Sequence, residues 1–396
     1  MRDVFIASAA RTPIGRFGGA FQKKPPVDLA APAMRAALGR ADVDGEALDF
    51  FVMGNVLRGG HGQLVPRQAA IQAGIPKTID GYAVDMVCSS GMMSLINAAT
   101  AIKAGEAELV LAGGIESMST AGFALSSKAR WGMKMVLGKG PLVDMMQRDG
   151  LTDPFDGDAM GVQTERLADE RDVSRQELDE VAAQSHQRAA EATRSGAFSE
   201  EITPVEYTER RETKTLETDE GIREGTTAEK LGGLSPAFQK DGVLTAGNSS
   251  QISDGAAALV VASEDAVEAH GLRPLAKLNA SAWSAGEPYR FPEAPLPAAE
   301  DVADEAGMTP ADFDLVENNE AFAINTVLMR RQLGVADDRL NVHGGAIALG
   351  HPIGCSGARI TVTLTHALRA HGGETGLASI CHGTGGGTAL TLERVS

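Results

Sequence analysis

Two glycine-rich segments near the end of the chain hold the residues best suited to moving protons. The first is His343-Gly344-Gly345-Ala346-Ile347-Ala348-Leu349-Gly350-His351-Pro352-Ile353-Gly354, and the second is Cys381-His382-Gly383-Thr384-Gly385. Glycine at this density lets backbone N–H groups approach a ligand where a Cβ would collide. A histidine and a cysteine on such turns could exchange protons beside fixed donors, although either motif alone is better read as an ordinary loop. A third residue changes the balance. Cys88, in Val87-Cys88-Ser89-Ser90-Gly91-Met92, stands directly before an apolar helical stretch. The N–H groups and dipole of a helix start favour a thiolate, the form that attacks a thioester or another activated acyl group. The bland alternative is a small buried hydrophobe, and Cys355 occupies a similar turn in the second half of the chain. His351 titrates near neutrality and could deprotonate Cys88, with Cys381 as a separate acid or base. The scattered thiols and imidazole lack Cys-x-x-Cys or His-x-x-x-His spacing, which argues against a metal site. There is no Gly-x-x-x-x-Gly-Lys-Ser/Thr loop and no Gly-x-Gly-x-x-Gly after a first strand, so nucleotide hydrolysis and dinucleotide chemistry lack support.

These residues need a frame. Strand signals at 3–10, 50–54 and 108–112 alternate with helical ones at 27–38, 67–73 and 91–104, which predicts an α/β layered unit. The end of the chain repeats the plan. Cys88-Ser89-Ser90-Gly91, a helix to Lys103-Ala104-Gly105 and an apolar strand have a counterpart. It consists of Cys355-Ser356-Gly357, a helix to Arg369-Ala370-His371-Gly372 and the strand 376–381. The match suggests duplication of a whole lobe. Between the copies, 120–250 is richer in methionine, charge and turns. It holds a methionine cluster at 131–146 and a polar helix at 172–193 with a Ser174-Arg175-Gln176-Glu177 capping signature. It also contains a charged, poorly periodic stretch at 209–229. It reads as an insertion closed by a strand at 255–263, and an insertion this long is usually functional. The expected division is 1–119 with 251–270, 120–250, and 271–396.

Composition narrows the function. With 396 residues the chain exceeds one core, and 43% hydrophobic residues is normal for a globular protein. No stretch approaches a membrane span and the start lacks a secretory apolar run. Three cysteines argue for thiols in a reducing, cytoplasmic setting. A net charge of −17 disfavours nucleic acid and anionic membranes. The basic residues are 25 Arg and only 11 Lys, and this balance resembles the surface of a halophilic protein.

Four motifs in order, spread over nearly the whole chain, resemble the thiolase family. They are the Val87-Cys88-Ser89-Ser90-Gly91-Met92 turn, Asn319-Glu320-Ala321-Phe322-Ala323, Gly350-His351-Pro352-Ile353-Gly354 and Cys381-x-Gly383-x-Gly385. The resemblance implies two duplicated βαβαβαββ lobes, layered α-β-α-β-α, with an inserted loop domain. It implies that Cys88 carries the acyl group as a thioester and that His351 activates it. Cys381 would exchange the α-proton of acetyl-CoA. Asn319 would hold a water that, with His351, stabilises the enolate oxygen. The N–H groups of Cys88 and Gly383 would form a second oxyanion hole.

The same resemblance assigns coenzyme A, as substrate rather than permanent cofactor, to the inserted loop. Ser250 and Ala246, Phe238, and Arg223 would contact it. Met160, Phe291 and Phe322 complete the expected acyl-CoA contacts, with the Met160 and Phe291 positions near the acyl pocket. Two positions depart from the family pattern: Ala159 replaces a His or Lys, and Phe291-Pro292 replaces a Met-Gly. A small Ala159 would admit a longer acyl group and a bulky Phe291 would oppose it. Acetoacetyl-CoA is the expected substrate of an acyltransferase acting in fatty-acid breakdown or in polyester or isoprenoid supply. Homodimers or homotetramers are expected, with 131–142 suited to tetramer contacts or to covering the site. The alternatives are a hydroxymethylglutaryl-CoA synthase-like enzyme, disfavoured by Cys381, and a non-catalytic acyl-CoA or lipid-binding relative, disfavoured because all four catalytic residues are present.

Overall fold

The computed structural model describes residues 2–131 and 142–395. It begins with β1 (Val4–Arg11), α1 (Pro26–Ala41), β2 (Phe50–Gly54), α2 (Val65–Ala73), β3 (Gly81–Val84), α3 (Ser90–Ala104) and β4 (Leu109–Ser117). An excursion carrying α4 (Met160–Glu170) and α5 (Arg175–Ser195) follows. The chain returns as β5 (Ser253–Ser263) and β6 (Ala276–Ala285). It closes with α6 (Pro295–Glu305), β7 (Leu315–Asn318), α7 (Ala323–Leu333), α8 (Ile353–His371), β8 (Thr375–His382) and β9 (Gly386–Arg394).

The strands order as β7-β8-β9-β6-β1-β5-β4-β2-β3. The order contains one pattern twice. β2 runs parallel to β4, which is followed by antiparallel β5 and β1. Likewise β7 runs parallel to β8, followed by antiparallel β9 and β6. The half-sheets touch where Phe5 and Ile6 of β1 face Lys277 and Ala276 of β6. The chain leaves the sheet after Ser117 and re-enters beside the same strand, with Asp254 opposite Ser117.

Both faces of the strands are covered, so they read as apolar runs rather than as alternations. In β5, Ala257, Leu259 and Val261 share a core with α3 and α8, whereas Ala258, Val260 and Ala262 share one with α1. Helix α8 is buried on nearly every side, including Thr361, Thr363 and Thr365. A helix buried all round belongs in a middle layer. Its core residues join those of α3 and of strands from both halves. Helices α1 and α2 cover the first half-sheet, and α5, α6 and α7 cover the second. The expected α-β-α-β-α stack is thus observed.

The two middle helices cross on glycine. A Cβ on Gly91 would lie 2.7 Å from the Ala358 backbone nitrogen, and one on Gly357 would overlap the Met92 nitrogen. A Cβ on Gly54 would come within 2.6 Å of the Gly354 carbonyl. Three chain segments meet there with no room for side chains.

Several local expectations change. Cys355 lies inside the first turn of α8, not on the turn before it, whereas Cys381 lies on strand β8 as the 376–381 strand signal predicts. The stretch after 204 forms a hairpin, Val205–Glu209 with Glu212–Leu216. Its turn is Arg210-Arg211, both at positive φ, and carries none of the Asn-Gly chemistry that marks hairpins in sequence. The expected cap of α5 is present: Glu177 N–H donates to Ser174 Oγ at 3.3 Å, and Ser174 N–H donates to the Glu177 carboxylate at 3.0 Å. Most of the 131–142 segment proposed for tetramer contacts lies outside the described residues.

Candidate active site

The site forms where α3, the start of α8, and the ends of β7 and β8 converge. Cys88 sits two residues before α3 on a turn held by Ser90. The Ser90 hydroxyl accepts from Met86 N–H at 2.8 Å and donates to the Val87 carbonyl at 2.5 Å. Val87 is held at φ 48°, a strained backbone for a β-branched residue. Cys88 keeps a part-exposed edge. Lost hydration is still the largest influence on its thiol and pushes it up, and the nearby Cys381 pushes the same way. The nearby backbone N–H groups of Gly383 and of Cys88 itself oppose this by favouring negative charge on the sulfur. The thiol therefore rests protonated, with two donors already aimed at negative charge on or beside it.

His351 leads into α8. Its backbone N–H donates to the Gln251 carbonyl at 2.9 Å. Its Nδ1 lies 2.6 Å from Ser356 Oγ, and the Ser356 hydroxyl donates to the Pro352 carbonyl at 3.0 Å. With its one proton committed to Pro352, Ser356 accepts from Nδ1–H, which leaves Nε2 as the bare lone pair. That Nε2 is buried without a partner among the described residues. Burial, then the Arg359 charge, lower the His351 pKa to about 3, so the ring is neutral at physiological pH. A neutral imidazole with an open lone pair is a base awaiting a proton. Ile353, two residues on, shares an apolar cluster against which Cys88 packs.

Asn319 follows β7, and its N–H donates to the Ser379 carbonyl at 2.9 Å. Its side-chain nitrogen and oxygen are both buried and unpartnered among the described residues. A buried amide left open on both ends implies a ligand or a water.

Cys381 faces the layer that contains Phe291 and Phe322, with Met160 and Phe238 packed against it. Phe322 is edge-to-face with Phe238 at 6.0 Å and with Phe291 at 6.1 Å. Met160 covers Gly383, whose Cβ would lie 3.3 Å from the methionine sulfur. Burial pushes the Cys381 thiol up to about 12, against a lowering contribution from Asn325. The four residues expected near the acyl and pantetheine path thus form one apolar group around this thiol.

Ser250 lies on a segment pinned to the Asn-Glu-Ala-Phe stretch. Its N–H donates to Ala321 O at 3.0 Å, and Ala323 N–H donates to Asn248 O at 3.0 Å. The next residue, Gln251, holds His351 by its carbonyl and donates its side chain to Gly221, Ile347 and Ala348 carbonyls. Ala246 and Arg223 are exposed and stand outside the cluster. The Arg223 N–H donates to His186 Nδ1 of α5 at 3.2 Å.

Sequence reasoning misses four residues. Ser356 sets the His351 tautomer, Asn325 contacts Cys381, and Gln251 braces the His351 turn. Glu116 accepts from Val56, Leu57 and Gly354 N–H groups and so ties β2 to the head of α8. Its burial raises its pKa to about 7. Only Ser356 carries a local signal, a hydroxyl one helical turn beyond a candidate base.

Residues 4–265 match the family model for the thiolase N-terminal domain, and 272–394 match that for the thiolase C-terminal domain. An acetyl-CoA acetyltransferase of Synechocystis sp. is 60% identical over 396 residues, covering 100% of both chains. One from Escherichia coli is 45% identical with the same coverage. The crystal structure of a Bacillus anthracis acetyl-CoA acetyltransferase superimposes with a TM-score of 0.96 at 40% identity. That of human mitochondrial 3-ketoacyl-CoA thiolase gives 0.96 at 39% identity. Each superposition covers 100% of this chain and 99% of the other. Family models that together span nearly the whole chain, full-length relatives and a shared layered fold agree: the chain belongs to the thiolase family.

Proposed function

We propose that this chain condenses two acetyl-CoA molecules to acetoacetyl-CoA and CoA, and runs the reverse thiolysis, through an acyl thioester on Cys88. Longer 3-oxoacyl-CoA molecules are the alternative substrates. The observation that best supports this is the pairing of two thiols, Cys88 and Cys381, close enough to influence each other's charge, with the Gly383 N–H beside the first. One thiol carries the acyl group and the other handles the carbon acid.

In thiolysis, His351 Nε2 takes the Cys88 proton and the sulfur attacks the 3-oxo carbon. The C2–C3 bond breaks, its electron pair forms the acetyl-CoA enolate, and Cys381 gives its proton to C2. CoA thiol then passes its proton to the Cys381 thiolate and attacks the acyl thioester. Cys88 leaves and recovers its proton from His351. Asn319 would hold a water that, with His351, meets the enolate oxygen. The Cys88 and Gly383 N–H groups would meet the oxygen of the thioester adduct. Condensation reverses every step.

Coenzyme A would lie along Ser250, Ala246 and Phe238, with Arg223 reaching toward its charged end. Met160, Phe291 and Phe322 would line the acyl side. Residues 1–119 with 251–270 and 271–396 would be the two lobes, with 120–250 as the inserted CoA-binding domain. A homodimer or homotetramer, a cytoplasmic setting, and a surface adapted to high salt complete the proposal. No helix among the described residues is long and apolar enough to cross a membrane. Thiolysis rates across 3-oxoacyl-CoAs of increasing length, at low and multimolar salt, test substrate and setting. Highest kcat/KM on a C8 or longer substrate would overturn the acetoacetyl-CoA assignment.

A further inference from the structure

We propose that Asn325 is a catalytic residue whose side-chain amide donates to the Cys381 thiolate and thereby sets how readily that sulfur exchanges a proton with carbon. This rests on Cys381 being the carbon acid and base.

Asn325 is the third residue of α7 and is buried. Its Oδ1 accepts from Phe322 N–H at 3.0 Å, and its Nδ2 donates to the Pro292 carbonyl at 2.8 Å. These two bonds fix the orientation of the amide, because a flipped group would set donor against donor and acceptor against acceptor. The remaining Nδ2–H is left for Cys381 Sγ at 3.5 Å. A donor held this way needs no reorganisation as charge appears on sulfur.

The surroundings explain why such a donor matters. Cys381 lies in an apolar cluster, where a thiolate loses its hydration. A second thiol, Cys88, stands close enough for the two charges to oppose each other. A cation would hold both sulfurs ionised, whereas a neutral amide aimed at one sulfur favours that thiolate alone. In condensation the methyl C–H bond of acetyl-CoA breaks, the proton passes to Cys381 sulfur, and the electron pair moves into the enolate. The Asn325 bond is strongest before this transfer and weakens after it. Pro292 follows Phe291 in the chain, and Phe322 is the second ring of the Phe291–Phe322 pair. The same amide therefore links the acyl-side rings to the base.

The test separates the two half-reactions in the intact enzyme. Deuterium exchange at the acetyl-CoA methyl in D2O reads Cys381, and intact mass after mixing with acetyl-CoA reads acetylation of Cys88. Asn325→Leu should slow exchange by about tenfold to a hundredfold, the worth of one hydrogen bond to a charged group, and move its pH profile upward by about one unit. Acetylation should change by less than about threefold, the scatter of a remote substitution. Asn325→Asp, nearly the same shape, should move the profile upward as well because its charge opposes the thiolate. It decides the matter if the leucine variant does not fold. An unshifted exchange profile in whichever variant folds would overturn the inference. Cys381→Ala serves as the separate control. Persistent exchange there sinks the assignment of Cys381 itself, whereas lost exchange there with an unshifted Asn325 variant sinks only the present proposal.

Discussion

The turns that open α3 and α8 are built alike and used differently. The resemblance in sequence pairs Cys88 with Cys355. The structure instead pairs Gly91 with Gly357, the two residues through which the helices touch. In that register Ser90 matches Ser356, Cys88 falls opposite Gly354, and Cys355 falls opposite Ser89. The paired serines are both clamps. Ser90 spends its hydroxyl on the backbone of the nucleophile turn. Ser356 bonds to Pro352 and to the imidazole of His351. One inherited clamp therefore positions a nucleophile in the first half and a base in the second. Cys355 takes part in neither: it is fully buried in the middle-layer core.

The sharpest challenge to this contrast is substitution of the two cysteines in parallel. Cys88→Ala should lower acetoacetyl-CoA thiolysis by at least about a thousandfold, as loss of a nucleophile does. Cys355→Ala should keep kcat within about threefold and cost about 1 kcal/mol of stability through a small cavity. Retained turnover in Cys88→Ala, or comparable losses in both, would break the comparison. Next comes the crossing itself. Gly357→Ala would press a methyl onto Met92 backbone, so its urea midpoint should fall by the equivalent of about 1–3 kcal/mol. Gly372→Ala, at the far end of α8, meets open space. Its cost should come only from a left-handed φ of 69°. Equal effects would mean the helices do not depend on that contact.

The serine clamps come third. Ser356→Ala should lower kcat by roughly tenfold, the loss of one hydrogen bond that orients the base, with Tm nearly unchanged. Ser90→Ala should instead affect stability and acylation together, because it frees the strained Val87 backbone. The smallest effect is on acid stability. The His351 pKa is lowered in the folded state to about 3, against about 6.5 for a free histidine. The unfolded chain therefore binds more protons between those values, so this residue's contribution is present above about pH 6.5 and is lost as pH falls toward 3. His351→Gln should flatten the decline of Tm over that window. A parallel decline in both proteins would contradict the neutral imidazole.

How far the sequence alone reveals the site follows from where each interaction lies. Cys88, His351 and Cys381 are legible because glycine-rich turns and a helix start leave local patterns. Asn319 is legible only through its motif, since nothing nearby marks an open amide. Asn325 and Gln251 are not legible, because their partners arrive from Pro292, Cys381, Gly221 and Ile347, brought close only by folding. The Cys355 register failed for a similar reason: a shared Cys-Ser-Gly string outweighed a backbone contact that sequence does not display. The strand order, in contrast, follows from the repeated alternation of elements and the apolar runs of doubly covered strands.

The position of β5 has a consequence for biogenesis. Among the described residues β1 forms its ladders with β5 and β6, apart from a single bridge from Arg11 to Ile202. β1 thus lacks both of its ladder partners until Ser253–Ser263 has been made. At about 5–20 residues per second that wait is on the order of 10–50 s. Through that interval an apolar strand and the open edge of β4 are exposed together. An unpaired strand edge is a template for wrong pairing, so this fold's demand on biogenesis falls well before any thiol has chemistry to perform.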